Sequence, residues 1–260
     1  MKETPFDKVA NLYDTTFTNT LVGRAQRDIV WRYLEQQLPQ KPVKILELNC
    51  GTGEDAVWLS KHGHHVTATD VSAKMIDVTR EKARNAGVEL DTLIWDLTTP
   101  FEGNDTYDII FSNFGGLNCL SPEQMHTLKA ELHRITKPNG MCIFVIMGNF
   151  CLMESIYFLT TFRFKSAFRR RRSVEARLSE NNVIQTWYYS PSDISNTLRD
   201  NWQRMRVEPV GVVIPPSFLN PGCERHPKIF SAIKKLDRNI SISSITSVLA
   251  DHYCISFKKK

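Results

Sequence analysis

The chain has 260 residues, 42% of them hydrophobic, and a formal charge of +5. That apolar share excludes a globally disordered chain, and the length suits one large α/β domain with added segments. The charge excess is mild and local, gathered in Arg163, Lys165, Arg169, Arg170, Arg171 and Arg172 and in the terminal Lys258-Lys259-Lys260, which argues against a dedicated DNA binder.

Six scattered cysteines (50, 119, 142, 151, 223 and 254) show neither CxxC nor metal-ligand spacing and read as reduced thiols of a cytoplasmic protein. The opening residues Met1-Lys2-Glu3-Thr4-Pro5 show no apolar signal segment. Asp7 to Leu38 reads as helical, with apolar Ile29, Val30, Tyr33, Leu34 and Leu38 and a stop at Pro39. Strands and helices then alternate: strand 43–48, helix 54–62, strand 65–70, helix 73–86 with Gly87 as C-cap, and strand 88–95. Strand 107–113, a helix 121–135 capped by Ser121 with Pro122 in its first turn, and strand 141–147 follow. Such alternation implies right-handed βαβ crossovers and a parallel sheet.

Met141 to Phe162 carries one charge, Glu154, and has the length of a membrane span. The β-branched run up to Met147 and the break at Gly148-Asn149 favour a buried strand followed by an apolar helix. Beyond it, 192–201 reads as a helix, 206–214 as a strand, 228–238 as a helix and 252–258 as a closing strand. The organisation predicted is a helical leader or lid (1–40), a cofactor-binding core (41–148), an aromatic and arginine-rich cap insertion (149–191), and a C-terminal part of the core (192–260) with a second insertion at 215–251.

Ligands of open parallel sheets sit beyond the carboxyl ends of the strands. Four of those ends carry Glu47, Asp70, Asp96 and Asn113, and Gly51 and Gly53 let backbone N–H groups approach a ligand. Asp70, 23 residues after Glu47, suits ribose hydroxyls. The glycine turn alone also satisfies a loose dinucleotide pattern, so an NAD-linked oxidoreductase is one reading. Glu47, Glu54 and Asp55 would repel a pyrophosphate, whereas a cofactor with ammonium and sulfonium groups would be attracted.

Ile45 to Gly53 resembles motif I of class I S-adenosylmethionine-dependent methyltransferases. Asp70 to Ile76 is similar to their second acidic motif, Trp95-Asp96-Leu97 to the adenine-contacting turn, Tyr107 to Asn113 to motif IV, and Lys137 to Met141 to the turn before the fifth strand. Phe6-Asp7 with Tyr13-Asp14 resembles the leader of the ubiquinone/menaquinone-biosynthesis-like branch, and the resemblance covers residues 5–148. It implies a Rossmann-like, doubly wound, mostly parallel seven-stranded sheet with an antiparallel closing strand and helical cap insertions. It implies S-adenosyl-L-methionine as cofactor and S-adenosyl-L-homocysteine as product. Glu47, Asn49, Gly51 and Gly53 would wrap the methionine portion, with Tyr13 closing over its carboxylate and Asn113 near its ammonium. Asp70 would take the ribose hydroxyls with Val71 in the same turn, Met75 and Leu97 would pack on the adenine, and Asp96 would accept from its amine. Asn49-Cys50 departs from the small residues usual there.

The expected reaction is in-line methyl transfer to oxygen of a small hydrophobic or aromatic metabolite, with His252 as candidate base and Asn118 orienting the acceptor. His226 is a weaker candidate, and His62, His64 and His65 read as solvated with no metal spacing. Asn113-Phe114-Gly115-Gly116 lacks the prolines of nucleobase-amine methylases. The aromatic and basic stretch 150–172 suits a lipophilic acceptor or peripheral contact with an anionic membrane. An alternative is an RNA methyltransferase docking through Arg163–Arg172.

Overall fold

The structure is a computed structural model describing residues 4–179, 182–240 and 244–260. Strands β1 (Lys44–Leu48), β2 (His65–Asp70), β3 (Asp91–Ile94), β4 (Tyr107–Ser112), β5 (Thr136–Met147), β8 (Trp202–Val210) and β9 (His252–Lys259) make one sheet, in the spatial order β3-β2-β1-β4-β5-β9-β8. The first five pair parallel, with Ile45 opposite both Val66 and Ile109 and Ile110 opposite Cys142. β9 runs antiparallel between β5 and β8, pairing Val145 with Cys254 and Val207 with Ile255. This is the doubly wound, mostly parallel sheet expected from the alternation, with its antiparallel closing strand.

The sheet is covered on both faces, which is why its central strands are continuous apolar runs. On one face Ile45, Val66, Ile109 and Ile143 pack with Val22, Val30 and Leu34 of α2 (Leu21–Gln37), Leu59 of α3 (Glu54–Lys61) and Ile76 of α4 (Ala73–Ala86). On the other, Leu46, Ile110, Phe144 and Ile255 pack with Leu128 and Leu132 of α5 (Pro122–Ile135) and with Ile194 and Leu198 of α8 (Pro191–Leu198). Local chemistry fixes the helix ends. Ser72 accepts from Met75 N, Gly87 closes α4 in the left-handed region, and Ser121 with Gln124 forms a capping box ahead of α5.

Several boundaries differ from the sequence expectation. The leader is not one helix from 7 to 38: α1 (Ala10–Tyr13) passes into a π-helical turn, Asp14–Thr18, and α2 starts afresh after Thr20. Thr15 and Thr16 hydroxyls donate to Leu12 O, and Thr20 caps Gly23 N, so local hydroxyl bonding competes with a regular helix. β3 is only four residues, on an exposed edge. The Lys137–Gly140 turn lies within β5: Thr136 pairs with Tyr107 and Met141 with Ile109, and the four residues between bulge with Asn139 at φ 61°. β8 begins four residues early, where buried Trp202 anchors it, and ends before left-handed Gly211.

Both insertions follow the edge of the sheet formed by β5, β8 and β9. The first holds α6 (Leu152–Thr160), α7 (Phe164–Ala167) and an unanticipated hairpin, β6 (Val174–Ser179) with β7 (Asn182–Thr186). The second holds α9 (Asn220–Arg225) and α10 (Pro227–Ile240). The apolar stretch 141–162 is split between β5 and α6, and among the described residues no helix is long and apolar enough to cross a membrane.

Asn118 corrects an expectation. Its carboxamide is fully buried and engaged, accepting from Met147 N at 2.9 Å and donating to Met147 O at 3.2 Å and Trp187 O at 2.6 Å. It ties the end of β5 to the chain leaving β7, and it is not among the residues lining the rim cavity. Asn118→Ala removes the side-chain partner of Met147 N and Trp187 O, while Met147 O keeps Tyr189 N, so urea unfolding should show a loss of roughly 1–3 kcal/mol.

Candidate functional site

The carboxyl ends of β1, β2, β4 and the chain after β3 converge on a cavity of about 310 Å³. Of the cofactor residues expected from the sequence, Tyr13, Glu47, Asn49, Gly51, Asp70, Val71, Met75, Asp96, Leu97 and Asn113 all line it. Gly53 does not. At φ 75° it caps α3 from behind, where a Cβ would meet the Thr79 side chain at 2.5–2.9 Å. Glycine is needed there for its backbone angle and for packing against α4.

Asp70 is held by two backbone donors, Gly51 N at 3.0 Å and Ser72 N at 2.9 Å. Burial outweighs these bonds and pushes its carboxyl up to about 6. Asp96 accepts from Thr98 N and Thr98 Oγ1 through Oδ1 alone, in an Asx turn at the cavity edge. Asn49, at φ 47°, accepts from Ser112 Oγ and donates to Asn113 O, which locks the glycine turn onto β4. Burial pushes the Tyr13 hydroxyl up to about 12, so it is a neutral donor at physiological pH.

Glu47 is the exception among these satisfied groups. It is buried, and its Oε2 has no hydrogen-bond partner among the described residues. Burial, with Asp55 and Asp70 nearby, pushes its carboxyl well above the usual range against the pull of Arg27. The other two acids of the sign argument are neutralised. Glu54 pairs with Lys82 at 2.8 Å. Asp55 accepts from Trp31 Nε1 and Asn113 Nδ2, with Arg27 Nε at 3.6 Å. The negative end of the cavity therefore rests on Glu47 and Asp70.

Arg27 was not singled out from the sequence. It is buried on α2 and lines the cavity with its guanidinium over the Phe114 ring at 5.1 Å, and its Nη1 has no hydrogen-bond partner among the described residues. The available signal was a charge inside the apolar stripe between Val22 and Val30. Asp7 was also missed as a positioning group. It accepts from Ser72 Oγ at 2.7 Å, from Lys74 N and from Thr4 N, and against the effect of burial these bonds hold it down to about 2. Asp14 accepts from Thr52 Oγ1 and pairs with Lys82, so the leader is fastened to both turns of the rim.

His252 starts β9 opposite Met147, at the rim as expected, but it is buried and outside the cavity lining. Phe114, which does line the cavity, meets the imidazole edge-on at 5.5 Å. His252 Nδ1 lies 3.3 Å from Asp251, whose carboxylate also accepts from Gln26 Nε2 and Arg170. Despite burial, Arg170 and His252 hold the Asp251 carboxyl well below the usual range. The arginine cluster is correspondingly not one solvated face. Arg170 bridges Asp251 and Glu154 in the interior, and Arg169 clasps Glu154 at 2.8 and 3.0 Å. His226 is exposed between α9 and α10. His64 is buried, unlike its exposed neighbours His62 and His65.

Residues 45–140 match the family described as Methyltransferase domain. The chain is 34% identical over 142 residues to a demethylmenaquinone methyltransferase of Clavibacter sepedonicus, covering 53% of this chain and 54% of that one. It spans about half the length of the curated relatives at the head of the comparison. In fold it is similar to the PH0226 protein of Pyrococcus horikoshii (TM-score 0.62, 16% identity, covering 95% of this chain and 98% of that one). It is likewise similar to magnesium protoporphyrin IX methyltransferase of Synechocystis, solved with bound S-adenosylhomocysteine (TM-score 0.59, 13% identity, 92% and 84% covered). The glycine turn, the acid-tipped strands of the rim and the matched residues agree: residues 45–140 form a methyltransferase domain, similar to those of S-adenosylmethionine-dependent enzymes.

Proposed function

We propose that this protein binds S-adenosylmethionine in the rim cavity and methylates a small hydrophobic or aromatic acceptor on oxygen. One observation carries the reading of the site: Glu47 and Arg27, an acid and a base each with a buried polar atom that lacks a partner among the described residues, line one cavity. An amino-acid end offers an ammonium to the first and a carboxylate to the second. Glu47 and the Asn113 carbonyl would hold the ammonium, Arg27 and the Tyr13 hydroxyl the carboxylate, and Asp70 the ribose hydroxyls beside Val71. Asn49 and Gly51 would border the chain between them. Met75 and Leu97 would flank the adenine, whose amine Asp96 would accept. When bound, the cofactor supplies an electrophilic methyl group on a sulfonium.

The chain's remaining task is to orient the acceptor and remove its proton. Phe17, Phe114, Leu120 and Ile184 form apolar wall at or beside the cavity, suited to a flat lipophilic molecule. With Asp251 beside Nδ1, the His252 ring keeps Nε2 for the acceptor proton, and an acceptor stacked alongside Phe114 would bring its hydroxyl there. An RNA acceptor is less well supported, because Arg169 and Arg170 are committed to Glu154 and Asp251. The relative's name supplies demethylmenaquinone as a probe for transfer to a ring carbon, to be compared with hydroxylated aromatics for transfer to oxygen.

Three measurements test this reading. Asp70 accepts ribose hydroxyls most strongly when ionised, and its folded pKa is raised to about 6, so the charged form is lost as pH falls through that value. Calorimetric affinity for S-adenosylhomocysteine should therefore drop about tenfold from about pH 7.5 to about pH 5, with a flatter profile in Asp70→Ala. Arg27→Met should weaken S-adenosylhomocysteine roughly 10–100-fold while leaving 5′-methylthioadenosine, which lacks the amino-acid end, nearly unchanged. Equal losses for both ligands would remove Arg27 from the carboxylate. His252→Ala should lower kcat on a hydroxylated aromatic about 10²–10⁴-fold at unchanged cofactor affinity. Methyl transfer to transfer RNA with none to any small acceptor would overturn the substrate assignment.

A further inference from the structure

The cap insertion carries a surface that the cofactor site does not use. On α6, Ile156 and Leu159 lie three residues apart on one face and are 43% and 40% exposed. The chain continues into Phe162, Phe164 and Phe168, which are 81%, 59% and 46% exposed. The Phe162 and Phe164 rings meet edge-on at 6.3 Å. Phe162 sits at φ 58°, a backbone region that disfavours a bulky side chain by roughly 1–2 kcal/mol, and there its ring faces solvent. Single exposed apolar residues are ordinary, but five large ones within thirteen residues mark an interaction surface.

Charge restricts what that surface can meet. From Ser155 to Val174 there are six basic residues and no Asp or Glu. Arg169 and Arg170 are drawn inward by Glu154 and Asp251, which pins the segment to the core. Arg163, Lys165, Arg171 and Arg172 stay exposed, Arg163 over the Phe158 ring and Arg171 over the Phe168 ring. A second copy docking by the same patch would set these cations against one another. Aliphatic Ile156 and Leu159 have little to offer a nucleic acid, whose protein interfaces are polar. Apolar side chains ringed by cations suit the boundary between anionic headgroups and acyl chains.

We propose that the α6–α7 segment is a docking surface for an anionic phospholipid bilayer, with Phe162 and Phe164 entering the headgroup boundary and Arg163, Lys165, Arg171 and Arg172 meeting lipid phosphates. This rests on the surface alone and stands whichever acceptor the enzyme methylates.

The test is co-sedimentation of the full chain with vesicles of phosphatidylcholine alone or mixed with phosphatidylglycerol. Binding to the mixed vesicles, weakened by added salt, is expected, with little binding to the neutral ones. Neutralising Arg171→Gln with Arg172→Gln should reduce the partition coefficient roughly 30-fold, about fivefold per charge. Phe162→Ala with Phe164→Ala should reduce it about tenfold or more. All four side chains are exposed, and unchanged S-adenosylhomocysteine affinity certifies the fold of each variant. Three outcomes overturn the proposal: no preference for anionic vesicles, vesicle binding indifferent to both double variants, or variants that lose a single-stranded RNA oligonucleotide or a self-associated state while keeping vesicle binding.

Discussion

A carboxyl group buried at the end of β1, with an oxygen that lacks a partner among the described residues, is the constraint around which the rim is arranged. Taking such a group out of water disfavours its charged form by several kcal/mol unless a cation or donors meet it. Asp55, Glu54 and Asp70 each have what they need, from Arg27 and two side-chain donors, from Lys82, and from two backbone N–H groups respectively. Glu47 has no partner for Oε2 among the described residues, and its burial favours the uncharged form. A pocket that satisfies three acids and leaves a fourth unmet beside an arginine is complementary to a zwitterion. Rigid strand ends hold that mismatch in place, because β1 is paired on both sides and cannot relax toward solvent.

Two polar fastenings carry the segments outside the sheet. Asp7 and Asp14 bind the leader to the turns after β2 and β1, and Arg170 binds the cap to Asp251 at the start of β9. Buried ion pairs add little to net stability relative to apolar packing, but breaking one partner leaves an unmet charge, so they fix orientation strongly. The same geometry removes half of the arginine cluster from the surface. A run of four arginines thus divides into two structural residues and two exposed ones, a split set by which side of the 169–171 turn faces Glu154.

The sheet and the cofactor half of the rim were legible because each central strand is an apolar run ending in a polar residue. Glu47, Asp70 and Asn113 stand out by that contrast, and the turn at Asp96 by its acid. The start of α5 was legible from Ser121 and Pro122, and the end of α4 from Gly87, for local reasons of the same kind. Arg27 was not, since α2 also carries Arg24 and Arg32 and only its place in the apolar stripe between Val22 and Val30 sets it apart from them. Asn118 was misread because a buried carboxamide that bonds three backbone groups has the same sequence signature as one facing a ligand. The bulge in β5 was hidden by Pro138-Asn139-Gly140, turn-forming residues that the strand accommodates by pairing Thr136 and Met141 on either side. The β6–β7 hairpin did carry a signal: Val174, Ala176 and Leu178 alternate with Glu175, Arg177 and Ser179, a period of two that was overlooked because it directly follows the arginine run.

The two halves of the rim meet at Phe114. Its backbone is left-handed at φ 41°, and its ring contacts Phe17 of the leader at 5.3 Å, the Arg27 guanidinium at 5.1 Å and His252 at 5.5 Å. A non-glycine residue held in that region is disfavoured by about 1–2 kcal/mol and persists only where its surroundings over-determine it. Here those surroundings are the leader, Arg27 of α2 and His252 at the start of β9. In the proposed chemistry, any shift of the leader over a bound cofactor therefore acts on the same ring that would border the acceptor. Coupling between cofactor binding and acceptor placement needs no longer route than this side chain, because each of its three partners belongs to a different part of the proposed chemistry.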